Sequence, residues 1–181
     1  MLGNLEGFEK MLVVADVARW KHGGLRLPVM SDMTGMDVPP IDVRWIHGSP
    51  PGGTPEPAIQ VHEVDDATFI LRQSKDVNYE APFLYVMCGA TRALLLDTGA
   101  VPAGDLRRTV DRLLAPREQA DEEYGLVVAH THAHGDHVAG DGQFTGRPRT
   151  AIVGHDVTAV QQFFGFTDWP AQIVTFDLGG R

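Results

Sequence analysis

The sequence predicts an α+β domain. Two observations carry that class. Between residues 58 and 96, four short apolar segments follow one another with turn residues between them, the pattern of an antiparallel run. After them, helix-like and strand-like segments alternate along the chain. A length of 181 residues suits one such domain with an extension, and a 43% apolar fraction is enough for its core.

Residues 1 to about 20 keep helical spacing through Leu5, Phe8, Leu12 and Ala15, and Gly23-Gly24 would end that helix. From residue 25 to 57 the periodicity dissolves, with Pro39-Pro40, Pro50-Pro51 and Gly52-Gly53 as breakers. Residues 1–57 therefore read as an N-terminal extension that wraps the domain or moves, peripheral to any chemistry. His22 and His47 read as solvated there, and Met30, Met33 and Met36 as alternative translation starts.

The domain proper, 58–181, opens with an alternating strand over 59–64, His62 on its polar side. Residues 68–71 follow an Asp65-Asp66 turn, and 83–88 and 93–96 are joined around Gly89. Residues 105–114 form a helix whose apolar face is Leu106, Val110, Leu113 and Leu114. Pro116 and Asp121-Glu122-Glu123 read as a solvated connection. Residues 126–129 are a buried strand, 150–153 another, and 173–176 a last one. Asp156 caps a helix running to about Phe164.

A net charge of −9 argues against a nucleic-acid surface, which is ordinarily basic. A phosphate substrate stays open, because bound metal reverses the local field. Cys88 is the single cysteine, which excludes an intrachain disulfide, and it reads as a buried core residue. No signal-like segment stands at the N-terminus and no run approaches membrane-spanning length, so the expectation is a soluble cytoplasmic protein.

Four of the eight histidines fall between His130 and His137, with the core spacing His132-x-His134-x-Asp136-His137. Imidazole and carboxylate suit a borderline ion such as zinc, and also iron or manganese. In an extended segment, residues two apart point the same way, so His132 and His134 converge on one ion. Gly135 permits a tight turn, after which Asp136 and His137 face a second ion. The strand before the loop places it at a strand's C-terminal end, where open sheets carry their sites. A solvated His-rich loop is the bland alternative; a chance match to the spacing is on the order of one in a thousand. His130 and His155 are not assigned as ligands.

Thr131-His132-Ala133-His134-Gly135-Asp136-His137 resembles the signature of the metallo-β-lactamase superfamily. The resemblance implies an αββα sandwich, of which this chain supplies the N-terminal half, and metal-dependent hydrolysis by an activated water. It implies a first zinc on His132 and His134 and a second on Asp136 and His137, with Asp136 also orienting the nucleophile as the catalytic residue. The family's remaining ligands, a later His, a bridging Asp and a final His, are expected after Arg181. Val138-Ala139-Gly140 resembles the family's continuation of the motif, and the strands from residue 58 resemble its opening strands.

Asp97-Thr98-Gly99 is also the triplet of aspartic proteases, but that chemistry needs two converging carboxylates and the chain has no second triplet. In the superfamily a matching Asp follows this strand, so Asp97 is implied to support the metal loop by hydrogen bonding. The expected substrate is a small molecule of ester, thioester, lactam or phosphoester type. The expected partner is the C-terminal half of the domain, or a second copy, covering an apolar sheet face, with the N-terminal extension folded across it as the alternative cover. Alone, the chain is expected to hold metal weakly and to turn over negligibly. The rival readings are an iron-dependent oxygen or sulfur redox enzyme on the same scaffold, and a non-catalytic metal-binding module.

Overall fold

The four apolar segments between residues 58 and 96 fold into antiparallel strands, and the later helix–strand alternation adds two parallel ones. A computed structural model of the chain describes residues 42–179 and the short strand β1, Val14–Ala15. The other strands are β2 (Ile59–Asp65), β3 (Thr68–Gln73), β4 (Phe83–Cys88), β5 (Arg92–Leu96), β6 (Gly125–Ala129), β7 (Thr150–Ile152) and β8 (Thr175–Phe176). The helices are α1 (Leu106–Ala120), α2 (Gly135–Val138) and α3 (Val157–Phe164). The main sheet has the order β2-β3-β4-β5-β6-β7, and β1 pairs in parallel with β8. The architecture is α+β.

Period-two alternation sorts side chains onto two faces. On one face Leu71, Leu84, Val86, Leu95 and Val128 meet Leu106, Val110 and Leu114 of α1, all buried. Each such burial contributes about 2 kcal/mol. On the other face Leu94, Val127 and Ala129 are covered by Val160 and Phe164 of α3 and by Leu178, with Phe166, Trp169 and Phe176 packed alongside. The chain thus covers the β5–β6 part of its second face itself. Phe163 and Ile173 remain exposed beside it, at 40% and 48%.

Three expectations change. Helix α1 runs on through Pro116 to Ala120 instead of stopping at residue 114. Proline removes one helical bond, but the last turns are held from outside. Arg117 donates to the Asp66 carbonyl, and Glu118 pairs with the buried Arg147 at 2.5 Å. His62 is half-buried rather than on a solvated face, because Trp45 packs edge-on against it at 5.7 Å and against Phe83 at 5.0 Å. The helix expected over residues 1 to about 20 lies outside the described residues, except at Val14–Ala15, which are a strand. The apolar run 11–15 is short enough to read either way.

Residues 42–57 carry no helix or strand, yet they are pinned to the sheet. Gln60 accepts from the Ile46 amide at 2.8 Å and donates to the Arg44 carbonyl at 3.1 Å. Ser49 donates its amide (2.9 Å) and its hydroxyl to the Asp76 carboxylate. The Ser49 hydroxyl bond, then its amide bond, holds the Asp76 carboxyl below its ordinary 3.8. Between that lowered value and 3.8 the released or unfolded chain binds more protons, so the contribution is present above 3.8 and lost as pH falls through the lowered value. Acid titration should therefore shift Trp45 fluorescence in that window in the unchanged chain. A Ser49→Ala chain should shift nearer pH 3.8; identical titrations would show that the contact does not hold the segment. Among the described residues, no helix is long and apolar enough to cross a membrane.

Candidate metal centre

Strands β3, β5, β6 and β7 point the same way, so their C-terminal ends meet at one edge of the sheet. Asp97 follows β5, His130 follows β6, and Gln73 ends β3 with its side-chain oxygen accepting from the Ala100 amide at 2.9 Å. The apolar run of β6 fixes where the chain emerges, and the polar residues begin as it leaves the core.

His132, His134 and Asp136 come together, each offering a ligand atom within 4.8 Å of the others. The imidazoles of His132 and His134 lie 4.5 Å apart and those of His132 and His137 3.9 Å apart. His137 is turned toward two carboxylates, its Nδ1 2.8 Å from Asp97 and its Nε2 3.1 Å from Asp136. The expected pairing of His132 with His134 and of Asp136 with His137 is thus one continuous cluster, with Asp136 between the two sets. Gly135 opens α2 and has no positive φ; the helical turn, not a left-handed glycine, brings Asp136 and His137 round.

Asp97 lies beneath this cluster with its side chain 2% exposed. It accepts the Thr131 amide (2.8 Å), the Thr131 hydroxyl (2.8 Å) and His137 Nδ1 (2.8 Å). The Thr131 hydroxyl spends its proton on Asp97, so it accepts from His132 Nδ1 at 3.0 Å. His132 is thereby held as its Nδ1–H tautomer with Nε2 bare, the arrangement that outer partners impose on metal-ligating histidines. Burial, then the neighbouring His137 and His134, push His132 below its ordinary 6.5, which favours the neutral form that ligates. Asp97 itself sits at φ +68°, a left-handed conformation that Asp tolerates better than most residues.

Thr98, Asp141, His130 and Tyr79 were not singled out as site residues by the sequence reading. Thr98 donates its amide to the His137 carbonyl at 2.7 Å and its hydroxyl to Asp141 at 2.8 Å. His130 is buried and bonds Asp141 at 2.8 Å; its one signal was that it continues the buried run of β6. His155 is exposed, its ring 6.3 Å from that of His130. Tyr79, exposed on the β3–β4 loop, has its hydroxyl pushed up mainly by its bond to Glu80, with the Asp136 charge a smaller cause. That loop therefore rises within electrostatic reach of the cluster.

Gly140 packs so closely on Thr98 that a Cβ would overlap the Thr98 carbonyl. Gly140→Ala should destabilise the chain by about 2–3 kcal/mol, since backbone must move. Urea unfolding checks this; an unchanged midpoint would mean the 3-10 turn at Asp141–Gln143 shifts freely.

The family model described as metallo-beta-lactamase superfamily matches residues 80–173, just over half of the chain. The chain belongs to the metallo-beta-lactamase superfamily. Its α+β sheet, with the His-x-His-x-Asp cluster at the strand ends, is that family's fold. Solved structures similar to this superfamily member include TMB-1, at 17% identity and a TM-score of 0.37, covering 67% of this chain and 53% of that chain. DIM-1 metallo-beta-lactamase matches at 17% and 0.36, and DIM-1 exposed to ceftazidime at 18% and 0.37, each covering 67% of this chain and 52% of that one. The chain thus spans about half the length of these structures. No curated protein matches it.

Proposed function

We propose that this metallo-beta-lactamase superfamily member is, within the complete protein, a zinc-dependent hydrolase of a small ester, thioester, lactam or phosphoester. The observation that carries this is the convergence of His132, His134 and Asp136 at one point, with Asp97 fixing the imidazoles from beneath. Three protein ligands from His and carboxylate are what a catalytic zinc uses, leaving a position open. His137, turned by Asp97 so that Nε2 faces Asp136, supplies a fourth donor for the same or a second ion.

When bound, zinc supplies Lewis acidity and an acidified water. The chain's own residues do the rest. Asp136, with its side chain 21% exposed, holds an acceptor oxygen at the cluster and would orient the attacking water through a hydrogen bond. Thr131, itself bound to Asp97, leaves Nε2 of His132 free to ligate, and Asp97 locks the direction of His137. Neither Ser nor Cys is needed as nucleophile, and Cys88 is buried in the core away from the loop.

The test is elemental analysis of the purified complete protein, with hydrolysis of ester, thioester, lactam and phosphodiester probes. Zinc near stoichiometric with hydrolysis of one probe class supports the reading. Stoichiometric iron with no hydrolysis would move it to the redox class, and zinc with no turnover to a binding module.

A further inference from the structure

The four candidate ligands lie on one loop, and that loop is closed at its base. His130 Nε2 meets Asp141 Oδ1 at 2.8 Å, across the segment that holds His132, His134, Asp136 and His137. A carboxylate only accepts, so the imidazole donates from Nε2. The same Asp141 oxygen accepts the Thr98 hydroxyl at 2.8 Å. Thr98 in turn donates its amide to the His137 carbonyl at 2.7 Å, and Gly99 bridges to Val138. The end of β6, the end of α2 and the turn after β5 are thus tied together by one carboxylate.

Stability alone does not account for an imidazole here. Its side chain is 3% exposed, and Nδ1 is buried without a hydrogen-bond partner among the described residues. A half-satisfied polar group in that place costs free energy. An apolar side chain continuing the buried run of β6 would avoid that cost. What the imidazole adds is the Nε2 bond to Asp141.

We propose that His130 and Asp141 form a clasp that pre-organises the ligand loop, making His130 a positioning residue for the metal; this rests on the zinc reading above. With the bond made, the ends of the loop are fixed and the ligands stay near their converged positions before metal arrives. With it broken, ordering the loop is deducted from metal affinity. Asp97 grips Thr131 and His137 directly, whereas the clasp joins His130 and Asp141, the residues that flank the ligands.

The experiment compares the unchanged chain with His130→Ala, Asp141→Ala, the double variant, and His130→Gln, which returns a donor near the Nε2 position. Amide hydrogen exchange over residues 131–139 is measured without metal, and zinc affinity by competition with a chromophoric chelator. Melting of the metal-free protein reports fold loss separately. Each single Ala variant should exchange loop amides about 10-fold faster and bind zinc about 10-fold more weakly, the scale on which outer partners of ligands act. The double variant should be no worse than Asp141→Ala alone, since the His130 bond is already absent there. His130→Gln should recover to within about 3-fold. Lowered melting with unchanged zinc affinity and unchanged loop exchange would overturn the clasp, as would additive losses in the double variant. If the unchanged chain binds no zinc, the metal reading fails, and the exchange comparison alone then decides the clasp. Should His130→Ala not fold, Asp141→Asn, which keeps the shape and weakens the acceptor, carries the same comparison.

Discussion

In a zinc titration, the His132→Ala chain is expected to bind at least about 100-fold more weakly than the unchanged chain. Zinc binding to a four-ligand site is worth about 10–16 kcal/mol, or roughly 3 kcal/mol per ligand, and about 1.4 kcal/mol is tenfold. His132 is also the hub of the cluster, with ring contacts to both His134 and His137 and its Nδ1 held by Thr131. The fold should survive, because His132 belongs to neither apolar cluster. In the complete protein the same change should cut hydrolysis by orders of magnitude. His155→Ala, an exposed position, should leave zinc affinity within about 2-fold. Wild-type zinc affinity in His132→Ala, or its loss in His155→Ala, would show that other donors hold the ion.

Asp97→Ala should be the most damaging change at the site for stability, at about 4 kcal/mol. It strips the partner from two Thr131 groups and from His137 Nδ1 in a place where the carboxylate is 2% exposed. Breaking a buried charged network of this kind costs about 3–5 kcal/mol. Alanine at φ +68° adds strain of about 1 kcal/mol. Asn tolerates that backbone and can still accept, so Asp97→Asn should lose about half as much stability. It should still bind zinc about 10-fold more weakly, because the carboxylate that directs His137 is gone. Urea midpoints with zinc titrations check both variants. A loss under about 1 kcal/mol for Asp97→Ala would mean that Thr131 and His137 find other partners.

The six strands of the main sheet were legible because each is bounded by a turn and carries short-range apolar patterning. The two antiparallel joints at Asp65-Asp66 and Gly89 fall where composition put them. The ligand spacing was legible too, since both the two-residue step and the strand before it are local features. What was missed is non-local. Nothing near Asp141 in sequence announces a bond to His130 and Thr98, because that bond exists only once β5, β6 and the 3-10 turn lie together. Trp45 over His62 was hidden for the same reason. Helix α1 was cut short at Pro116 because local propensity says stop, while Arg147 and the Asp66 carbonyl supply tertiary holds that propensity cannot contain.

The strand order β2-β3-β4-β5-β6-β7 is also the order of synthesis. Each new strand finds its neighbour already made, so no pairing in the main sheet waits for a later segment to be inserted between two earlier ones. Closing nearby segments costs less chain entropy than closing distant ones, which favours fast assembly. The ligand loop inherits this sequence of events. Asp97 and Thr98 leave the ribosome before Thr131 and His137, so the acceptor and donor that grip the loop are in place on a growing sheet when the loop arrives. The ligands are laid onto a prepared base rather than gathered from a loose chain, and Asp141, the last member of the network, fastens them only after all four have passed.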